Sequence, residues 1–153
     1  MAETKQKNAV EIELRINARP ETVFQYFTDP KRILQWQGLK AELDPRPGGI
    51  YRVDMNGRDV ARGEYLEVVP NTRIVFSWGW EGSHVPPGST TVEITLQVDG
   101  DGTILRLRHT GLPEDQRELH AQGWAHYLER LAEAATGGDP GADPWVESES
   151  PGI

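Results

Sequence analysis

The sequence predicts an α+β fold in which a curved antiparallel sheet of about six or seven strands wraps one long C-terminal helix, with two short helices after the first strand. Three observations predict it. Residues 10–16 alternate apolar and polar with period two. Residues 48–110 are almost wholly β in pattern, and their turns are too short to hold crossover helices, so the strands form an antiparallel meander. Residues 113–136 carry a sustained apolar stripe at helical spacing.

The elements follow in chain order. In VEIELRI, Val10, Ile12, Leu14 and Ile16 make the buried face of the first strand. Pro20, pre-set for a first helical turn, and Glu21 open a short helix bearing Val23, Phe24 and Phe27 on one side. Asp29-Pro30 repeats the start signal for a second short helix with Ile33, Leu34 and Trp36. Strands are predicted at 49–55, 59–69, 73–80, 90–99 and 103–110, divided by Asn56-Gly57, Pro70-Asn71, the Gly82–Gly88 loop and Asp99–Gly102. The long helix starts at Pro113; Trp124, Tyr127, Leu128, Leu131 and Ala135 recur on one face. Gly123 within it costs about 1 kcal/mol relative to Ala, which points to close packing against another backbone. Gly137-Gly138 ends the helix. The organisation expected is a flexible N-terminus over 1–9, a domain over 10–136, and a disordered acidic tail over 137–153.

Composition excludes several function classes. With 16 Lys plus Arg against 24 Asp plus Glu and a formal charge of −8, a phosphate-binding surface for nucleic acid is not expected. No apolar run approaches the roughly 18 residues of a membrane span. Cysteine is absent, which removes disulfides, thiol nucleophiles and thiolate metal sites. The polar start MAETKQKNAV has no apolar segment of a secretory signal, so a cytoplasmic location is expected. His120 and His126 stand on different sides of a helix, and HExxH, GxSxG, P-loop and GxGxxG patterns do not occur; no metal and no cofactor is predicted.

Five segments carry a resemblance: INARPETVFQYFTDPKRILQW at 16–36, PGGIYRVDM at 47–55, GEYLEVVPNTRIVFSWGW at 63–80, LRLRHTGLP at 105–113 and GWAHYLERLA at 123–132. In this order and spacing the chain resembles the START-like superfamily of helix-grip proteins, which includes polyketide cyclases, Bet v 1 and lipid-transfer relatives. Within it, the chain resembles the Hsp90 ATPase activator homologue (AHSA1-like) family. The resemblance implies a helix-grip fold with a largely apolar internal cavity between sheet and long helix.

Strand parity nominates the lining of that cavity. Trp78 and Trp80 share a face with Ile74 and Phe76, while Val92, Ile94, Leu96 and Val98 form the matching face of the next strand. His109 follows Leu105 and Leu107 onto the same inner face. Tyr51 and Met55 face inward in the preferred parity of strand 49–55, with Arg52 and Asp54 outward. On the long helix, His120 and Trp124 are an i, i+4 pair, whereas His126 lies off the stripe and is expected to be solvated. His109, Trp78, Trp80, Tyr51, Met55, Trp124 and His120 are therefore the predicted ligand-binding residues, and Trp36 is read as core. The expected function is to hold a small apolar or aromatic ligand, with no catalytic residue assigned and a homodimer admitted. The alternatives are a polyketide cyclase or dehydratase using His109, with Tyr51 or His120, as general acid or base, and a co-chaperone-like module that binds protein through the outer sheet face or the tail.

Overall fold

A computed structural model describes residues 9–147; residues 1–8 and 148–153, which hold most of the predicted flexible N-terminus and the end of the predicted tail, lie outside the described residues. Seven strands make one antiparallel sheet: β1 (Ala9–Ile16), β2 (Lys40–Leu43), β3 (Ile50–Asp54), β4 (Val60–Val69), β5 (Arg73–Trp78), β6 (Thr90–Asp99) and β7 (Gly102–Thr110). Their spatial order is β1-β7-β6-β5-β4-β3-β2. Helices α1 (Pro20–Thr28) and α2 (Pro30–Ile33) connect β1 to β2, α3 (Glu114–Ala135) follows the sheet, and α4 (Pro144–Glu147) lies beyond it. This is the helix-grip fold expected from the pattern. The strand KAEL at 40–43 was not foreseen, because only four residues alternate there. No helix among the described residues is long and apolar enough to cross a membrane.

Register decides which side chains meet α3. Val10 and Val92 flank His109, Ile12 and Ile94 flank Leu107, and Leu14 and Leu96 flank Leu105, so one apolar face is continuous across three strands. The opposite face is polar: Arg108 pairs with Glu11, Arg106 with Glu13, and Arg73 with Glu67 and Glu93. These pairs are largely exposed, and exposed pairs contribute about 0–1 kcal/mol each; their effect is to keep this face in water. Val98, expected inside, is 61% exposed because it stands at the β6–β7 turn.

Polar anchors hold the helices to the sheet. Asp29 caps α2 by accepting from the Lys31 N–H at 2.8 Å. That helix ends at Ile33 rather than continuing to Trp36, and the fully buried Trp36 donates its indole N–H to the Tyr26 carbonyl at 2.9 Å. The Tyr26 hydroxyl donates to Ala134 O on α3, and the Tyr65 hydroxyl of β4 donates to Phe27 O on α1. Gly79 lets the following loop cross β5 closely, since a Cβ there would fall 1.8 Å from the Pro86 carbonyl oxygen. That crossing brings Val85 into the core and its carbonyl to the Trp80 N–H.

The segment after Gly137, expected from composition to be a disordered tail, makes specific contacts with α3. Asp143, 9% exposed, accepts from the Tyr127 hydroxyl at 2.6 Å, from His126 Nε2 at 2.9 Å and from the Trp145 N–H at 3.0 Å. The Trp145 ring stacks on His126 at 3.9 Å with 3° between planes. Arg130 donates to Pro140 O and Gly141 O and also to Trp36 O, which fastens the segment to the α2 end. An acidic, Gly/Pro-rich composition therefore docks here because one carboxylate and one indole meet Tyr127 and His126 on α3. His126, expected to be solvated, is half of that dock.

A chain ending at Gly138 is expected to lose about 1–3 kcal/mol of stability, seen as a drop of several degrees in thermal midpoint, because Tyr127 and His126 lose their acceptor. Asp143→Ala alone should reproduce a large share of the drop. An unchanged midpoint in both variants would show that the segment does not dock in solution.

Candidate functional site

Between the sheet and α3, the interior is filled by aromatic rings. Trp78 packs against Trp80 at 5.3 Å, edge to face, and against Trp124 at 5.2 Å. Strand parity aims Trp78 inward from β5, and the Ala61 bridge carries that alternation on to Trp80. Tyr51 stacks on Phe76 at 4.2 Å and reaches Trp78 at 5.9 Å.

Both inner histidines are held by tryptophan. Trp124 donates its indole N–H to His109 Nδ1 at 3.0 Å, so that nitrogen carries a lone pair. The other ring nitrogen, His109 Nε2, carries the proton and donates to Thr90 Oγ1 at 2.8 Å, and Thr90 passes its own proton to Trp78 O at 2.8 Å. The second pair mirrors the first: Trp80 donates to His120 Nε2 at 2.9 Å, and His120 Nδ1–H donates to Gln116 O at 2.8 Å. Burial, reinforced by the neighbouring His120, lowers His109 to about 3. Burial also lowers His120, against the opposing pull of its bond to the Gln116 carbonyl. Neutral rings are what the hydrogen bonds require, since a second proton on either would face an indole N–H. Both nitrogens of both rings are thus engaged by the protein.

A gap interrupts this packing. A cavity of about 20 Å³, room for about one water, is walled by Trp78, Trp80 and Met55 from the sheet side and by His120, Gly123, Trp124 and Tyr127 from α3, with Gln37 closing one end. Five of the seven residues predicted from sequence thus border one space. Tyr51 and His109 stand behind it, in contact with Trp78. Gln37, Gly123 and Tyr127 complete the wall. Tyr127 was legible as part of the helix stripe and Gly123 as an anomaly within it; Gln37, in a turn after α2, carried no periodic signal. Three polar atoms around this space are buried without a hydrogen-bond partner: Gln37 Nε2, Tyr51 Oη and Trp78 Nε1. The Tyr51 hydroxyl lies beside Gln37, and burial drives its pKa upward, so it stays protonated. Among the described residues, no three His, Asp or Glu side chains converge as a metal site would require.

Comparison with known proteins places this geometry among relatives. The family described as Activator of Hsp90 ATPase homolog 1-like protein matches residues 17–136. The human Activator of 90 kDa heat shock protein ATPase homolog 1 is 29% identical over 113 residues, which cover 71% of this chain and 31% of that protein. The chain spans about a third of the length of the curated relatives it matches. Among solved structures, the AHSA1-like protein from Rhizobium etli is 50% identical with a TM-score of 0.72, covering 90% of this chain and 87% of that one. DynU16, from the dynemicin biosynthetic locus, is 27% identical with a TM-score of 0.76, covering 87% of this chain and 49% of that one.

The histidine arrangement gives a pH dependence of stability. The unfolded His109 ring takes its proton near 6.5 and the folded one near 3, so between these values the unfolded chain binds more protons. Its contribution is complete above pH 6.5 and falls by up to about 1.4 kcal/mol per pH unit below it. Urea unfolding at pH 7.5, 6.0 and 5.0 should show this loss. His109→Phe should be less stable at pH 7.5 by about 1–3 kcal/mol, because the Trp124 N–H is orphaned, and should show a shallower fall with acid. An equal slope in both proteins would refute the assignment.

Proposed function

The chain belongs to the Activator of Hsp90 ATPase homolog 1-like family, and from that premise we propose that it binds a small apolar, aromatic molecule between the sheet and α3. The observation that carries this reading is a gap between the sheet and α3, walled by three tryptophans and bordered by a helix glycine. Large, rigid aromatic side chains suit a flat ligand, because they offer contact area at little conformational cost. The space is too small as it stands, so binding proceeds by displacement. Met55, unbranched and adaptable, is the wall residue best able to move, and Gly123 leaves room that any other residue would fill. In this reading Trp78, Trp80, Trp124, Met55 and His120 form the contact wall, while Tyr51 and His109 hold Trp78 from behind.

Cyclase or dehydratase chemistry through His109 is not part of the proposal. A general acid or base must reach the reacting proton, and both His109 nitrogens are already bonded to Trp124 and Thr90. The activator role in the human relative's name belongs to that protein, of which this chain matches less than a third.

Indane, a flat hydrocarbon, is a suitable first probe. Its titration should give a saturable change in tryptophan fluorescence, since three of the five tryptophans border the cavity. Gly123→Leu should abolish that change while keeping the far-ultraviolet circular dichroism of the fold, at a cost of about 1–3 kcal/mol from overpacking. A fluorescence response that survives in Gly123→Leu would place binding elsewhere and overturn the reading.

A further inference from the structure

The ligand's polarity is written in the groups left unsatisfied around the cavity. Gln37 is 2% exposed and Trp78 3%, and both border the same gap, yet Gln37 Nε2 and Trp78 Nε1 have no hydrogen-bond partner. An indole N–H can only donate, and so can the amide NH₂. The fully buried Tyr51 hydroxyl stands beside Gln37, and burial, opposed by the contact with the Gln37 amide, keeps it protonated. Buried polar groups are almost always paired, and here two N–H donors that line one gap, on Gln37 and Trp78, are not. Trp80 and Trp124, whose rings border the same gap, do have acceptors in His120 and His109; the missing partner belongs to Trp78 and Gln37 specifically.

We propose that Gln37 and Trp78 are the specificity-determining donors of the cavity, and that its ligand is a flat aromatic compound presenting a carbonyl-type acceptor oxygen to them. The inference rests on the ligand-binding reading above. A hydrocarbon or an alkyl chain would leave the donors as they are, whereas a carbonyl-type oxygen supplies an acceptor without bringing a further proton into the cavity. A ketone or quinone oxygen, with two lone pairs and no proton, has one lone pair to offer each donor.

The test compares 1-indanone with indane, which share a skeleton and differ in one carbonyl. Indanone should bind about tenfold more tightly, the yield of a net hydrogen bond in a buried site. Its carbonyl infrared band should move to lower frequency on binding. In Gln37→Leu, indane affinity should be unchanged while indanone falls toward it and its band shift shrinks. Equal affinities for the two probes, with no effect of Gln37→Leu, would overturn the donor assignment and leave the apolar-ligand reading standing; such donors would then serve a buried water. Binding of neither probe would overturn both.

Discussion

The interior of this protein depends on two indole N–H to imidazole bonds, Trp124 to His109 and Trp80 to His120. An aromatic core of this size brings polar atoms inside with its rings, and each must find a partner or cost stability. Histidine answers that need because its neutral ring has one acceptor and one donor. The acceptor takes the indole, and the donor is passed to Thr90 in one case and to the Gln116 carbonyl in the other. The two bonds tie the β7 face and the Trp80 turn to α3, so the same contacts that satisfy the core also position the walls of the cavity. Both nitrogens of each ring are committed to these bonds.

Much of the fold was legible because its signals are periodic. Val10 through Ile16 alternate, and Leu105, Leu107 and His109 share a parity that the register with β6 and β1 preserves. Asp29-Pro30 announces a helix start, and Trp124, Tyr127, Leu128 and Leu131 mark the buried side of α3. What escaped the sequence is what depends on contacts between distant segments. Gln37 borders the cavity because α2 ends at Ile33 and the chain turns, and no local pattern announces that turn. Strand parity placed His109 inside and helical spacing placed His120 beside the cavity, whereas their partners follow from how β5, β7 and α3 cross. The docked segment after Gly138 was hidden for a related reason: its composition reads as solvated, while its placement comes from one carboxylate meeting Tyr127 and His126.

That dock is joined to the cavity through shared residues. Tyr127 borders the gap with its ring and donates its hydroxyl to Asp143. Gln37 closes one end of the gap and also lines a surface groove of about 220 Å³ beside Gly141 and Asp143. Burial opposes ionisation of Asp143, yet the hydrogen bonds from Tyr127, the Trp145 N–H and His126 outweigh it and hold the carboxyl below its usual value. The charge is therefore kept, and its contribution to stability persists until the pH falls through that lowered value. A change in the cavity that moves Tyr127 must either carry the docked segment with it or break a 2.6 Å bond to a nearly buried carboxylate.

The charge state of the walls limits what the cavity can hold. Both histidines are kept neutral by burial and by the indoles bonded to them, and Asp143, the buried carboxylate among the described residues, is turned toward Tyr127, His126 and the Trp145 backbone. An anionic ligand would lose its hydration beside rings that supply no countercharge, and desolvating a charge without a partner is far costlier than leaving a neutral group unpaired. Protonating His109 or His120 to meet such an anion would set a second N–H against Trp124 or Trp80 and break the bonds that shape the wall. The constraint that builds the core thus bears on the proposed recognition: histidines that must stay neutral to hold the tryptophans in place would favour a neutral ligand, with donors rather than charge to discriminate among candidates.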